Sequence, residues 1–294
     1  MLESAPTAVL FPGQGSQQPR MRDIVAAVRP DLVCQVTPLV GEDPFARVDE
    51  STRFAQPAIF CASLAGWERV RDHVDPVAFA GHSLGELTAL VAAGALDERD
   101  GLRLVALRGL LMSISGEDAG GGTMLAVLGG TPAQAAAIAA RNGVSVANDN
   151  APGQVVLSGS PDALDGARRD AASEGLRSAD LDVCGAFHSP QMQDAVTPFH
   201  EALAEIEFRA PTVPVISCAT GLPFVDPREE LAAALVRPVR WRETMTALAD
   251  SGVQTFVDAG PGRVLAKLAP RCVPGAGAAS LDMLLGDLMH SRAA

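Results

Sequence analysis

The chain has 294 residues, of which 48% are hydrophobic and 20% charged, and its formal net charge at pH 7 is −12. This length suits one large domain, or a large domain that carries a smaller inserted one, with a sizeable core. The negative charge argues against nucleic acid and against an anionic membrane surface as partners. We find no apolar run of transmembrane length and no N-terminal signal peptide. The five scattered cysteines include no C-x-x-C pair and no zinc spacing, which favours free thiols in the cytoplasm.

The first third of the chain alternates predicted strands and helices. In chain order they are the strand Thr7–Phe11, the helix Met21–Val28, the polar loop Asp43–Arg53, the helix Gln56–Val70, the strand Val77–Ala80, a helix that ends at Ala93 and the helix Asp97–Leu111. Pro57 falls in the first turn of its predicted helix, where a proline is tolerated. The apolar side of the last helix is formed by Leu102, Val105, Leu110 and Leu111.

The middle of the chain has the element order of a ferredoxin-like unit. Ser115–Gly122 is rich in glycine and predicts a flexible crossover. After it come the strand Thr123–Leu128, the helix Thr131–Arg141, the strands Val144–Ala147 and Gln154–Ser158, the helix Asp162–Glu174 and the strand Ser178–Val183. This order matches the ferredoxin-like pattern. We therefore predict a small α+β domain over 117–188.

The remainder of the chain returns to the larger domain. Its predicted elements are the helix Gln191–Ile206, the strand Val213–Ser217, the helices 229–236 and Trp241–Asp250, the strand Thr255–Val257 and the turn Gly260-Pro261-Gly262. Residues 1–116 and 189–294 together are expected to form an α/β-hydrolase-like domain with a parallel sheet, into which the small domain is inserted.

The residues around Ser83 form the pattern G-x-S-x-G between a predicted strand and a predicted helix. They are Gly81-His82-Ser83-Leu84-Gly85. This layout is typical of a nucleophile elbow, in which glycines permit a sharp turn and the serine stands at the helix N-terminus. There the helix dipole and free N–H groups favour negative charge on a reacting oxygen. Ser83 is the predicted covalent nucleophile, although the same pattern also occurs in ordinary glycine-rich turns.

A serine nucleophile needs a base, and the chain has five histidines. His82 is adjacent to Ser83 and should point away from its hydroxyl, which favours a structural role. His188 lies where the inserted domain rejoins the large one, so a cleft between the domains would bring it near Ser83. The other three fall in polar surroundings or in an amphipathic helix; they are His73, His290 and His200. By elimination, His188 is the predicted base.

The group that would orient this base is left open by the residues alone. In the chain order of α/β-hydrolases, an Asp or Glu lies between the serine and the histidine. Asp180 and Asp182 are available there, but both sit on the last predicted strand of the inserted domain. A backbone carbonyl is the alternative.

Eight short stretches, spread over nearly the whole chain, carry a joint signature. They are FPGQGSQ at 11–17, FAQPAIF at 54–60, GHSLGE at 81–86, LRG at 107–109, NDNAPGQVVLSG at 148–159, GAFHS at 185–189, RPVRW at 237–241 and DAGPG at 258–262. In this order and spacing they resemble the malonyl-CoA:acyl-carrier-protein transacylases, whose fold also serves the acyltransferase domains of polyketide and fatty-acid synthases. The joint match is specific, whereas no single motif would be.

The resemblance implies a role for several residues. Ser83 would form the acyl-enzyme, with His188 as its general base and then its general acid. The backbone N–H groups of Leu84 and Gln14 would hold the oxyanion. Arg108 would be judged solvated from its helix alone, but it matches the arginine that pairs bidentately with the malonyl carboxylate. A planar fork of donors suits that group.

Two further positions follow from the same resemblance. The family orients its histidine with a backbone carbonyl before the proline of an N-P-V-x-W motif, and the matching residue here is Ala234. Arg237 replaces the asparagine of that motif, but a carbonyl survives a change of side chain. Phe187, next to the histidine, would line the acyl pocket in the version associated with malonyl rather than methylmalonyl units.

The implied activity is ping-pong transfer of a malonyl group from CoA to the phosphopantetheine thiol of an acyl carrier protein. Malonyl-CoA would be a substrate; no bound cofactor or metal is required, and a monomer is expected. The loop Gly13-Gln14-Gly15 lacks the third glycine of a dinucleotide fingerprint. Because carrier proteins are acidic too, docking needs a basic patch, for which the candidates are Arg141, Arg168, Arg169, Arg237 and Arg240.

Other functions keep the same fold. One is a trans-acting acyltransferase of a polyketide pathway with another acyl donor, working from carrier to carrier. Another is a hydrolase that clears stalled acyl groups, and a third is a catalytically silent docking subunit. Arg108 argues against an uncharged acyl group, because a buried and unpaired guanidinium is costly.

Overall fold

The computed structural model describes residues 5–118 and 120–285. Within them the helices are α1 (Met21–Val28), α2 (Pro30–Val40), α3 (Thr52–Val70), α4 (Gly85–Ala92), α5 (Glu98–Asp118), α6 (Pro132–Asn142), α7 (Pro161–Ser173), α8 (Gln193–Ala204), α9 (Pro227–Ala233), α10 (Trp241–Asp250) and α11 (Val264–Cys272). Short 3-10 helices cover Pro44–Arg47 and Pro190–Met192. The strands are β1 (Thr7–Phe11), β2 (Pro76–Gly81), β3 (Thr123–Leu128), β4 (Ser145–Ala151), β5 (Gln154–Gly159), β6 (Arg177–Leu181), β7 (Val215–Ile216), β8 (Thr255–Asp258) and β9 (Gly277–Ser280).

The larger sheet is parallel, with strand order β7-β2-β1-β8-β9. Its central strand β1 is buried along its whole length, because helices pack on both faces, as in other parallel sheets. Val9 and Phe11 face the core built by α1, α2, α3 and α5. Ala8 and Leu10 face the opposite core, which contains Trp241 of α10 and residues of α11. Parallel pairing brings the carboxyl ends of these strands to one edge of the sheet.

Helix α3 lies at the centre of the larger core. Fifteen of its 19 residues are buried, and a helix that is buried on nearly all sides needs no clear apolar stripe. Among the helices within residues 5–118 and 120–285, none is both long and apolar enough to cross a membrane.

The smaller sheet is antiparallel, with strand order β4-β5-β3-β6. Its elements follow the predicted order β3-α6-β4-β5-α7-β6, and Leu125 and Leu157 pack against Ile138 of α6 and Leu164 of α7. The predicted fold, a parallel α/β unit together with a ferredoxin-like α+β unit, is confirmed. The boundaries at 117 and 188 stay a prediction, and α5 continues to Asp118 across the first of them.

The prediction was wrong about the start of α3. The polar stretch before it contains a 3-10 helix, and α3 begins at Thr52, after an N-cap in which Ser51 Oγ accepts a hydrogen bond from the Arg53 N–H at 3.2 Å. Pro57 therefore lies inside the helix rather than in its first turn. A proline there removes one backbone hydrogen bond, and burial of the surrounding residues holds the helix together.

The predicted flexible crossover at Ser115–Gly122 is also wrong in its first half, because α5 runs to Asp118. Ser115 and Gly116 are buried. A Cβ at Gly116 would lie 3.4 Å from both Cys184 O and Gly185 Cα. Small residues thus let the last turn of α5 approach the segment that leads to His188. In composition alone, such a run of small residues resembles a loop.

Among the α-helices and strands given above, α2, α11 and β9 were not predicted. Both helices contain an internal proline, Pro38 and Pro270, which obscured their helical periodicity. β9 is Gly-Ala-Ala-Ser at the sheet edge, without the branched residues that identify strands. The strand predicted over Val144–Ala147 continues as β4 to Ala151.

Candidate active site

The backbone at Ser83 turns sharply between β2 and α4, with a φ of 53° in the left-handed region. A Cβ at Gly81 would lie 2.0 Å from the Gly85 carbonyl carbon, and one at Gly85 would lie 2.1 Å from Phe11 O. Only glycine fits at either position. The predicted strand–turn–helix is therefore present, and it exposes Ser83 at the carboxyl edge of the large sheet.

His188 lies between β6 and the 3-10 helix Pro190–Met192, and its side chain contacts this serine. Its Nε2 lies 2.8 Å from Ser83 Oγ, and the residue is only 5% exposed. Like Ser83, His188 has a positive φ, 58°. Two residues with backbone strain therefore face each other, an arrangement that is frequent at functional sites.

The other ring nitrogen of His188 is held by backbone carbonyls. Nδ1 lies 3.0 Å from Ala234 O and 3.0 Å from Arg237 O. Because an Nδ1–H must donate to these carbonyls, the neutral ring has Nε2 free to accept the proton of Ser83. Of the two aspartates considered for this role, Asp180 pairs with Arg168, and Asp182 is exposed.

His188 is uncharged at neutral pH. Burial, and then the charge of Arg108, lower the pKa of His188 to about 3, against the opposing effect of the Ala234 and Arg237 carbonyls. The ring therefore meets a serine hydroxyl as a free base.

Arg108 lies on the buried side of α5 and is 4% exposed, whereas Leu110, predicted on the apolar side, is 37% exposed. Its Nη1 donates to Gln56 Oε1 at 2.7 Å, and its Nη2 donates to Ser83 Oγ at 3.1 Å. Burial lowers the pKa of Arg108 to about 10, which the charge of Glu86 opposes, so the guanidinium stays protonated. No carboxylate of residues 5–118 and 120–285 forms an ion pair with it. A buried cation of this kind is suited to an incoming carboxylate.

The two predicted oxyanion donors lie beside the serine. Gln14 and Leu84 line the same cleft as Ser83. The loop that carries Gln14 presses against the elbow, since a Cβ at Gly13 would lie 2.7 Å from His82 O. Within the described part of the chain, the N–H groups of Gln14 and Leu84 have no hydrogen-bond acceptor. Both are thus available to a ligand.

One small cleft, of about 80 Å³, contains most of the predicted site. Its lining includes Ser83, His188, Arg108, Gln14, Leu84 and Phe187. Ala234 is not in the lining and reaches the site only through its carbonyl. A larger groove of about 790 Å³ beside β7 contains none of these residues.

Several polar residues at the site were not singled out from the sequence. Gln56 orients Arg108, and its own Nε2 donates to Thr52 Oγ1 at 2.8 Å. Buried Glu86 accepts from the Cys218 N–H at 2.7 Å, while Cys218 Sγ accepts from the Ser83 N–H at 3.4 Å. Asn148 lines the cleft, and its buried Oδ1 has no partner among the described residues. Gln56, Glu86 and Asn148 lie inside the quoted motifs, so their positions there were the available signal.

Within the described residues, no histidine other than His188 bonds to Ser83 Oγ. The ring of His82 bonds Asn150 Oδ1 at 2.8 Å and packs on Trp241, which agrees with the structural role favoured for it. His200 pairs with Glu229, and His73 is exposed. His290 lies outside the described residues.

The five candidate docking arginines do not form an uncompensated basic patch. Arg141 pairs with Asp170 and Glu174, Arg168 with Asp165 and Asp180, and Arg240 with Glu243. Arg169 and Arg237 are exposed.

Comparison with known sequences identifies a family over most of the chain. Residues 9–289 match the acyl transferase domain. The polyketide biosynthesis protein ThaF of Burkholderia thailandensis is 39% identical over 93% of this chain, which spans only 25% of that longer protein. The polyketide biosynthesis malonyl CoA-acyl carrier protein transacylase BaeC of Bacillus velezensis is 36% identical, over 89% of this chain and 95% of its own.

Solved structures give the same result. The malonyl-CoA:acyl carrier protein transacylase of Xanthomonas oryzae superposes with a TM-score of 0.89 at 33% identity, over 98% of both chains. A malonyl-transacylase solved in complex with its type II polyketide acyl-carrier protein has a TM-score of 0.86 at 32% identity, over 96% of this chain and 100% of its own. The family match, the similarity to relatives over most of the chain and the shared fold agree with the resemblance in the motifs. The chain belongs to the acyl transferase domain family.

Proposed function

We propose that the protein is a malonyl-CoA:acyl-carrier-protein transacylase with a Ser83–His188 mechanism. One observation carries the proposal: the Ser83 hydroxyl is hydrogen-bonded both to an uncharged histidine, at 2.8 Å, and to a buried guanidinium, at 3.1 Å. This guanidinium has no carboxylate partner among the residues that the structure describes. The histidine supplies the base, and the guanidinium selects an acyl group that carries its own carboxylate.

In the first half-reaction, Ser83 Oγ attacks the thioester carbon of malonyl-CoA while His188 Nε2 takes the hydroxyl proton. The negative charge that develops on the thioester oxygen would be held by the N–H groups of Gln14 and Leu84, and such donors typically contribute about 100- to 1,000-fold in rate. When the carbon–sulfur bond breaks, His188 gives its proton to the CoA sulfur. The product is a malonyl ester of Ser83 and free CoA.

In the second half-reaction, the phosphopantetheine thiol of the carrier protein attacks the malonyl ester. His188 takes the thiol proton, and it returns this proton to Ser83 Oγ when the ester bond breaks. The two carbonyls on Nδ1 carry no net charge, so they orient the ring and leave it able to release the proton in each step.

The donor and acceptor classes are supported separately. Arg108 suits a malonyl carboxylate, and the buried Phe187 ring in the cleft lining narrows the space for a substituent on the α-carbon. BaeC is named a malonyl CoA-acyl carrier protein transacylase, and the structural relative described above is bound to a carrier protein. We also propose a cytoplasmic location, since the five cysteines, all within the described residues, are free.

Intact-protein mass spectrometry tests the proposal directly. The protein is mixed briefly with malonyl-, methylmalonyl- or acetyl-CoA, with Ser83→Ala as the matched control, and a holo carrier protein is then added. We expect a malonyl adduct that is absent in the variant and moves to the carrier. Loading by uncharged acyl groups alone would contradict the role of Arg108 and support carrier-to-carrier transfer. An adduct lost to water rather than to the carrier would indicate a hydrolase, and no adduct with any donor would indicate a silent docking subunit.

A further inference from the structure

The second half of β4 stays paired with β5 in the small sheet and also bonds the segment that precedes α10. Asn148 forms a parallel bridge with Val239. The Asp149 N–H donates to Val239 O at 2.8 Å, and the Val239 N–H donates to Ala147 O at 2.8 Å. Val239 is 1% exposed. The small sheet is thus tied to the large unit by backbone hydrogen bonds at one buried residue.

An ion pair strengthens the same junction. Arg242, in the first turn of α10, approaches Asp149 with two donors: its Nε lies 3.0 Å and its Nη2 2.6 Å from Asp149 Oδ2. The Asp149 side chain is only 14% exposed. Such a fork fixes orientation as well as distance, so α10 cannot rotate relative to β4 without breaking it.

The segment held in this way carries the carbonyls that orient the base. Ala234 O and Arg237 O both accept from His188 Nδ1, and Arg237 is two residues from Val239. A shift of Val239 relative to β4 would therefore move these carbonyls and turn the imidazole away from Ser83.

The next residue of β4 contacts the residue that precedes the nucleophile. Asn150, which is 8% exposed, bonds through its Oδ1 to His82 Nε2 at 2.8 Å. His82 directly precedes Ser83 in the elbow. One short stretch of β4 thus contacts the supports of both reacting side chains.

We propose that Asp149 and Asn150 are positioning residues that together set the distance between Ser83 and His188. Asp149 acts on His188 through Arg242 and Val239, and Asn150 acts on Ser83 through His82. This inference rests on the proposed function of the Ser83–His188 pair. It adds that the small sheet aligns the catalytic pair, in addition to contributing to the wall of the cleft.

The first test compares Asp149→Asn with Asp170→Asn in the full chain. Asp170 also pairs with an arginine, Arg141, but that pair lies between α6 and α7 and contacts neither Ser83 nor His188. Two readouts are used: the single-turnover rate of malonyl loading, and inactivation by a small sulfonyl fluoride, which needs an activated serine but no substrate pocket.

A misplacement of about 1 Å costs on the order of 100-fold in rate, so Asp149→Asn should slow both reactions by about 10- to 100-fold. The KM for malonyl-CoA should stay near the wild-type value, and Asp170→Asn should leave both rates unchanged. Wild-type rates in folded Asp149→Asn would overturn the role of Asp149. If that variant fails to fold, Arg242→Lys, which keeps the charge but loses the fork, takes its place.

The second test compares Asn150→Ala with Asn150→Asp. The aspartate keeps an acceptor for His82, so it should restore the sulfonyl fluoride reactivity that the alanine loses. Equal rates in both variants would overturn the role of Asn150.

Failure of the proposed function is distinguishable from failure of this inference. In the first case the wild-type protein would take up no malonyl group, and in the second case wild-type loading would stay intact.

Discussion

Arg108 is the residue on which the proposed choice of a malonyl substrate rests. Its guanidinium is buried, and Gln56 and Ser83 are its hydrogen-bond partners, at 2.7 and 3.1 Å. A buried cation is expensive to maintain, and burial already lowers its pKa to about 10. We infer that this cost is offset during the reaction, when a substrate carboxylate pairs with the Arg108 guanidinium.

The first prediction concerns Arg108→Ala. Charge-assisted hydrogen bonds contribute about 1.5–3 kcal/mol each, so loss of both bonds of the bidentate pair should lower kcat/KM for malonyl-CoA by about 100- to 10,000-fold. Acetyl-CoA, which has no carboxylate, should be affected much less. The matched control is Arg103→Ala, an exposed arginine of the same helix that pairs with Asp100. Equal losses with both donors would contradict the carboxylate role.

The second prediction concerns pH. Because burial and Arg108 lower the pKa of His188 to about 3, the base stays uncharged well below the usual histidine range. A histidine with an unshifted pKa of about 6.5 would make acyl-enzyme formation about tenfold slower at pH 5.5. We expect single-turnover loading with malonyl-CoA to be nearly as fast at pH 5.5 as at pH 8, and the fall to lie at lower pH.

The same pKa shift affects stability, with a definite sign. Between about pH 3 and 6.5 the unfolded chain binds a proton on His188 that the folded chain does not. This contribution to stability is therefore present above pH 6.5 and is lost as the pH falls.

Glu86 is another buried group near Ser83 that titrates, since burial raises its pKa to about 7. A rate change near pH 7 that persists in Glu86→Gln would contradict the pKa assigned to His188.

At the residue scale, the family motifs predicted more of the site than the residue types and their local spacing did. The burial of Arg108 was in principle visible, because Gly101, Val105, Arg108 and Met112 recur at helical spacing and all are buried. The partner of Arg108 was not visible, since Gln56 lies on α3 and no local pattern pairs two helices. The Ala234 carbonyl came from the resemblance alone, because a backbone acceptor leaves no mark in the side-chain sequence.

At the element scale, the elbow was predictable because steric demands require specific residues there. A Cβ at Gly81 or Gly85 would lie about 2 Å from backbone atoms, so the glycines reported the turn. Helices α2 and α11 were missed because internal prolines are tolerated where tertiary packing replaces the lost hydrogen bond. Such compensation comes from distant elements and cannot be derived from a local window.

The third prediction concerns the junction between β8 and α11. The buried carboxyl group of Asp258, at the end of β8, accepts from the N–H groups of Leu265 and Ala266, at 2.9 and 3.1 Å, in the first turn of α11. Both of these N–H groups donate to Oδ2, and the Gly260 N–H donates to Oδ1. In Asp258→Asn the NH₂ group must replace one of the two oxygens, so either the α11 N–H groups or the Gly260 N–H would lose their acceptor. We expect a loss of about 1–3 kcal/mol in the free energy of unfolding.

Asp226→Asn is the matched control for this change. Asp226 caps α9 through the Arg228 N–H at 3.0 Å, but it is exposed, and asparagine serves equally well at an exposed N-cap. Its unfolding free energy, measured by urea denaturation, should stay within about 0.5 kcal/mol of the wild type. If Asp258→Asn were equally neutral, the carboxyl group would not hold the two elements together.

At the scale of the whole molecule, strand order could be predicted only in outline. Alternating strands and helices indicated a parallel sheet, and the order β-α-β-β-α-β indicated a second, antiparallel unit. The contact between the two sheets at Val239 was not predictable, because it joins residues about ninety positions apart through backbone atoms. Yet this contact lies beside the carbonyls that orient His188, so the site depends on the least predictable part of the fold.

The net charge gives the last prediction. The chain carries −12, and three of the five candidate docking arginines are neutralised by acidic neighbours. An acidic carrier protein should therefore be repelled at long range. The Debye length falls from about 30 Å at 0.01 M salt to about 8 Å at 0.15 M, so added salt should increase the rate at which the malonyl-enzyme transfers its group to the carrier.

The control for this effect is a small neutral thiol, N-acetylcysteamine, as the acceptor. Its reaction with the same malonyl-enzyme involves no charged partner, so its rate should not change with salt over this range. An increase seen only with the carrier assigns the effect to repulsion between the two proteins. A decrease with added salt would instead mean that a local basic surface, with exposed Arg169 or Arg237 as the available candidates, dominates docking over the net charge of the molecule.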